Sequence, residues 1–155
     1  MAVDVGAKAP DFTLRNQDMQ DVTLSAELRK GPVVLAFMPG AFSGHCTMEV
    51  CAFRDAASRL NDLKANVLGV TVDTFFALKA WADAEQLQFP LLSDFNKEVT
   101  AAYGVLNPDM IGLKNIAKRA TFVIGRDGIV RHKEVFEDAR NLPDLDKVWQ
   151  ALQGA

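Results

Sequence analysis

Pro32-Val33-Val34-Leu35-Ala36-Phe37-Met38 is followed at once by Pro39-Gly40-Ala41-Phe42-Ser43-Gly44-His45-Cys46-Thr47-Met48-Glu49-Val50-Cys51. The first seven residues are a continuous apolar run of strand length, the pattern of a central strand covered on both faces. Pro39-Gly40 ends it. From Cys46 to Lys64 the period changes: Val50, Phe53, Ala57, Leu60 and Leu63 recur at spacings of three and four, which predicts a helix with one apolar stripe. A buried strand running through a glycine-bearing loop into a helix is the first half of a βαβ unit.

The rest of the chain extends this reading. Gly6 to Leu14 reads as coil entering a short strand, and Asp18 to Thr23 as a hairpin tip and return. Asn66 to Val72 is a second buried strand, Phe75 to Ala84 a helix, Pro90 to Ser93 a short extended piece and Asn96 to Tyr103 a helix. Ala120 to Ile124 and Ile129 to Val135 are strands joined by the hairpin signal Asp127-Gly128. Pro143 to Leu152 is predicted as a closing helix with Pro143 in its first turn. The order predicts an α/β fold: a central mixed sheet with helices on both faces, a βαβ crossover followed by a ββα unit, in the thioredoxin-like arrangement. No repeat or linker-like stretch interrupts it, so residues 1–155 are expected to form a single domain.

The bulk composition narrows the function. The chain has 155 residues, 49% hydrophobic and 24% charged, with a formal net charge of -3. A globular protein is expected, with no basic surplus for nucleic acid and no apolar run near the roughly 20 residues that span a bilayer. Met1 to Val5 lacks the basic start and apolar stretch of a secretory leader, so a cytoplasmic location is the default expectation. There are two cysteines. In a reducing compartment a permanent disulfide is disfavoured, so the pair is either chemical or incidental.

The chemistry is expected at the strand-to-helix edge, where open α/β sheets bind ligands. Cys46 should sit in or just before the first helical turn, where unpaired N–H groups and the helix dipole favour the nucleophilic thiolate. Gly40 and Gly44 let backbone donors approach a small substrate, and Ser43 offers a hydroxyl to sulfur, backbone or substrate oxygen. Each feature also has a plain structural reading. Cys46 and Cys51 could be small core residues, Pro39 could only end a strand, and Arg119 could be a surface residue. His45 could be a solvated loop residue, and Glu49 a first-turn acid.

Taken together, Pro39, Ser43 and Cys46 match the Pro-x-x-x-(Thr/Ser)-x-x-Cys motif of the peroxiredoxins. Arg119, ahead of the apolar strand Ala120-Thr121-Phe122-Val123-Ile124, is similar to that family's active-site arginine, and Glu49 falls at a position often acidic there. The resemblance runs from Ala9-Pro10-Asp11-Phe12 to Asp127-Gly128. It implies a thiol peroxidase in which Cys46 attacks a hydroperoxide and becomes a sulfenic acid. Arg119 would stabilise thiolate and transition state, and Glu49 would orient Arg119. Ser43 and the backbone N–H groups of Gly44, His45 and Cys46 would position the peroxide, and Pro39 would shield the sulfur. Arg119→Ala is expected to slow oxidation while leaving the fold intact. No metal, haem or flavin is implied. The implied partners are a hydroperoxide and a thioredoxin- or glutaredoxin-like reductant, and the assembly a monomer or homodimer. The end at Ala155, without a long arm carrying a third cysteine, points away from the decameric two-cysteine peroxiredoxins.

Cys51 divides the resemblance. The Cys-x4-Cys spacing is similar to the peroxiredoxin Q (bacterioferritin comigratory protein) group, in which the second cysteine resolves the first. Pro10 to Arg15, Phe89 to Phe95 and Ala102 to Val105 resemble the AhpE-like group, which usually lacks that cysteine. On an ideal helix residues 46 and 51 stand about 8–9 Å apart at Cα and about 140° apart around the axis, against the roughly 4.4–6.8 Å of a disulfide. Resolution by Cys51 therefore requires the helix start to unwind; otherwise Cys51 is a packing residue and the chain a one-cysteine peroxidase or a peroxide sensor. A thioredoxin-type oxidoreductase would need a Cys-x-x-Cys pair, which is absent. A metal held by His45, Cys46 and Cys51 would crowd its ligands on one helix start.

Overall fold

The computed structural model of the chain describes residues 3–155; Met1 and Ala2, part of the start read above as lacking a leader, lie outside the described residues. Its elements are β1 (Thr13–Asn16), β2 (Asp21–Thr23), α1 (Leu24–Leu28), β3 (Val33–Phe37), α2 (Gly44–Asp55), α3 (Ala57–Asp62), β4 (Asn66–Thr71), α4 (Phe75–Glu85), β5 (Leu91–Ser93), α5 (Glu98–Ala102), β6 (Leu106–Asn107), β7 (Ile116–Ala117), β8 (Arg119–Ile124), β9 (Val130–Phe136) and α6 (Leu145–Leu152). Seven strands form one mixed sheet in the order β2-β1-β5-β4-β3-β8-β9, and β6 and β7 make a separate small hairpin. Among the described residues no helix is long and apolar enough to cross a membrane.

The apolar run at Val33–Phe37 forms the central strand, every residue of it buried. It pairs in parallel with β4 and antiparallel with β8. Alternation along it builds two layers. Val33, Leu35 and Phe37 point to one side, against Phe122, Tyr103 and Leu92. Val34 and Ala36 point to the other, against Phe53, Leu60, Val148 and Trp149 from α2, α3 and α6. Met38 continues that second face into a cluster with Cys46, Val50, Leu78 and Trp81. Trp81 and Trp149 are thus packing residues, and Trp81 Nε1 also donates to Thr47 Oγ1 at 3.2 Å.

Several boundaries differ from the sequence reading. The helix predicted from Cys46 to Lys64 begins at Gly44 and is divided at Ala56, whose backbone leaves the helical region (φ −91°, ψ 12°). The break turns α3 relative to the stripe, so Ala57 is exposed while Leu60 remains buried. Pro143 lies outside α6: Asp144 is the N-cap, accepting from Lys147 N at 3.3 Å. The predicted helix at Asn96–Tyr103 is shorter, and α1 and the β6–β7 hairpin were not read from the sequence, being too short to show periodicity.

The sheet register places the site. β8 runs antiparallel to β3 with Ala120 opposite Phe37, so Arg119, the first residue of β8, meets the end of β3 where the chain turns into α2. Residues far apart in sequence converge there because one strand ends where its neighbour begins.

Candidate active site

Cys46 is the third residue of α2, in its first turn, and its side chain is fully buried. Ser43 is the N-cap, but its hydroxyl does not cap the helix; it donates instead to the Gly40 carbonyl at 3.0 Å, bracing the loop. Among the described residues no protein acceptor is found for the N–H groups of Gly44, His45 and Cys46, while Thr47 N already bonds Ser43 O at 2.9 Å. Three free donors thus stand at the positive end of a twelve-residue helix.

Arg119 ties the site together. It is 1% exposed, and its Nη2 donates to Cys46 Sγ at 3.3 Å. Nη1 donates to Glu49 Oε1 at 2.8 Å and Nε to the Ala139 carbonyl at 2.9 Å. Cys46 and Glu49 are at i and i+3, so one helix face presents both to one guanidinium. Glu49 is the sixth residue of α2, beyond the first turn; its reading as a first-turn acid fails because the helix starts at Gly44. Arg119 is no surface residue, and Arg119→Ala would leave Glu49 buried without its cation, a stability cost to be measured beside the loss of rate.

The two buried charges respond differently. For Glu49 burial outweighs the attraction of Arg119, and its carboxyl is pushed up to about 7. For Arg119 burial works the other way, but Cys46 and Glu49 together outweigh it and hold the guanidinium more firmly protonated. The difference has a physical basis: Glu49 has one cationic neighbour, Arg119 two acidic ones. Glu49 Oε2 is buried with no hydrogen-bond partner, consistent with a carboxyl that readily holds a proton.

A cleft of about 820 Å³ opens onto this floor. Arg119, Pro39, Ser43, Gly44 and His45 line it, so the structure brings these predicted residues together. Cys46 lies behind them, out of contact with solvent. The opposite wall comes from Met110, Ile111, Leu113 and Ile116 and from Glu137–Arg140. None of these was singled out in the sequence. Asp73 was also missed: its Oδ2 accepts from Ala41 N at 2.7 Å, anchoring the loop to the end of β4. An acid directly after a buried parallel strand is the signal that could have found it. Phe42 is exposed beside Trp81, and Phe75 and Phe95 line a separate cavity.

Cys51 is turned away from this centre. Its thiol donates to Glu85 Oε2 at 3.4 Å and is pushed up by burial and then by that carboxylate. Both cysteines are free thiols. The structure does not gather His45, Cys46 and Cys51: the first is exposed, the second faces Arg119 and the third Glu85.

The AhpC/TSA family matches residues 5–133. Alkyl hydroperoxide reductase E of Mycobacterium tuberculosis is 41% identical over 135 residues, covering 86% of each chain. A chloroplastic 2-cysteine peroxiredoxin of Chattonella marina var. antiqua is 36% identical over 165 residues, covering 99% of this chain and 82% of its own. The crystal structure of peroxidoxin BcpB from Mycobacterium tuberculosis superposes with a TM-score of 0.89 at 33% identity, covering 98% of this chain and 97% of that one.

Proposed function

The chain belongs to the AhpC/TSA family and is a thiol-dependent peroxidase of thioredoxin-like fold, and on that premise we propose that Cys46 is its peroxidatic nucleophile. The observation that carries the reading is the single buried guanidinium of Arg119 in contact with both the Cys46 sulfur and Glu49.

In this reading the Cys46 thiolate attacks the terminal oxygen of a hydroperoxide that enters through the cleft. The O–O bond breaks, Cys46 becomes a sulfenic acid, and the departing oxygen leaves as water or alcohol after taking a proton. Arg119 holds negative charge on the sulfur through Nη2 and stabilises the charge developing on the peroxide. The free N–H groups of Gly44, His45 and Cys46 supply further donors without reorganisation. Pro39 covers the approach to the sulfur. Ser43 shapes the loop through Gly40. Glu49 positions Arg119, and the whole of residues 1–155 acts as one domain.

Cys51 then resolves the sulfenic acid within the same chain, and a thioredoxin- or glutaredoxin-like thiol reductant returns both cysteines. Because α2 holds both residues in one helix, the first turn must unwind. Alkylating and digesting the protein after one equivalent of hydrogen peroxide tests this: a Cys46–Cys51 cross-link is expected. A sulfenic acid at Cys46 with no such link would establish the one-cysteine reading instead, and a sulfenic acid found elsewhere would remove Cys46 from the role.

A further inference from the structure

We propose that Glu85 is a catalytic residue of the resolving step, taking the Cys51 proton as that sulfur attacks the Cys46 sulfenic acid. The inference rests on the reading of Cys51 as the resolving cysteine.

The geometry starts with two adjacent contacts between α2 and the end of α4. Cys51 Sγ donates to Glu85 Oε2 at 3.4 Å, and Arg54 Nη1 donates to the Glu85 carbonyl at 2.8 Å. Cys51 and Arg54 are at i and i+3 and share a face of α2. Phe53 between them is 2% exposed and anchored in the core. This middle part of α2 is clamped. The first turn is held through side chains, Arg119 on Cys46 and Trp81 on Thr47, while its entry at Ser43, Gly44 and His45 is exposed and no side chain caps the helix. When α2 unwinds, the segment that moves is the one carrying Cys46, and Cys51 receives it while still beside Glu85.

Glu85 is also out of place by local rules. It ends α4, whose last turn contains no basic residue, and an acid there opposes the helix dipole. Its carboxylate has one observed side-chain use, the Cys51 thiol. Such local conflicts are expected at functional positions.

The chemistry needs a base at this place. Burial and the carboxylate together keep Cys51 protonated at rest, and a thiol is a poor nucleophile. As the Cys51 sulfur bonds to the Cys46 sulfur, its proton passes to Glu85 and the S–O bond of the sulfenic acid breaks. The departing hydroxide takes that proton from Glu85 and leaves as water. One thiol and one sulfenic acid become one disulfide and one water, and the oxidising equivalent is that already delivered by the peroxide.

Rapid mixing of the full chain with one equivalent of hydrogen peroxide, followed by timed alkylation and mass spectrometry, separates sulfenic acid formation from cross-linking. Glu85→Gln keeps the shape and an acceptor oxygen but removes the base. It should slow cross-linking on the order of 100-fold relative to sulfenic acid formation in the same sample, and Glu85→Asp should recover part of the loss. Cross-linking in Glu85→Gln as fast as, or faster than, in wild type would overturn the role of Glu85 while leaving Cys51 as resolver. Absence of the cross-link in wild type would overturn both.

Discussion

Replacing Arg119 with Met removes every guanidinium donor while keeping most of the buried stem, and its consequences follow from two contacts. The bond to Cys46 Sγ at 3.3 Å is charge-assisted, worth roughly 1.5–3 kcal/mol. That corresponds to about 10- to 150-fold in rate. A preorganised donor aimed at developing charge is worth roughly 10²–10³-fold. One guanidinium supplies both effects, so sulfenic acid formation should slow about 10²–10³-fold rather than by their product. The second contact concerns stability. Glu49 is raised from 4.5 to about 7 with Arg119 beside it. A carboxyl raised in the folded state binds more protons there than in the unfolded chain. Stability is therefore fully present below the ordinary value and falls as pH rises through the window, on the order of 3 kcal/mol in all. Arg119 provides both causes that pull Glu49 down. In Arg119→Met the window extends above 7, and stability relative to wild type should keep falling there by roughly 1.4 kcal/mol per pH unit. Stopped-flow fluorescence reads the rate, with Trp81 packed in the same cluster as Cys46 as reporter. Urea unfolding on either side of neutrality reads the stability. An oxidation rate equal to wild type, or a stability difference that stays flat above neutrality, would refute the bridge.

Two other substitutions separate the loop from the scaffold. Ser43→Ala removes the bond to the Gly40 carbonyl and should slow peroxide oxidation about tenfold, the equivalent of one hydrogen bond of ~1.4 kcal/mol, read as the second-order rate of sulfenic acid formation. Asp94 is buried and accepts from Val99 N, Thr100 N and Thr100 Oγ1 at 3.3, 2.6 and 2.6 Å. Asp94→Ala should cost about 3 kcal/mol, near 1 kcal/mol per bond, read from the urea midpoint, while the folded fraction keeps its oxidation rate.

What could be read from the sequence follows the range of the interactions involved. β3 was legible because a run buried on both faces carries its own signal. Cys46 at the helix start was legible because a glycine-bearing loop joins that strand to an apolar stripe of helical period, whereas Glu49 entered through family resemblance. Arg119 was reachable only through family resemblance: its place depends on antiparallel pairing of β8 with β3, which brings it to Cys46, 73 positions away. The break at Ala56 was hidden because no glycine or proline marks it. The cleft wall at Met110–Ile116 was hidden because most of it is the loop between two strands of two residues each. The Cys51–Glu85 contact was hidden because it depends on how α4 packs on α2. The sequence reading gave Cys51 a position around the helix but no neighbour.

The most direct test is stopped-flow oxidation of wild type and Cys46→Ser by hydrogen peroxide and an alkyl hydroperoxide. The account predicts fast second-order peroxide consumption by wild type and its loss in Cys46→Ser, with Cys51 still present. Rapid consumption persisting in Cys46→Ser would contradict it.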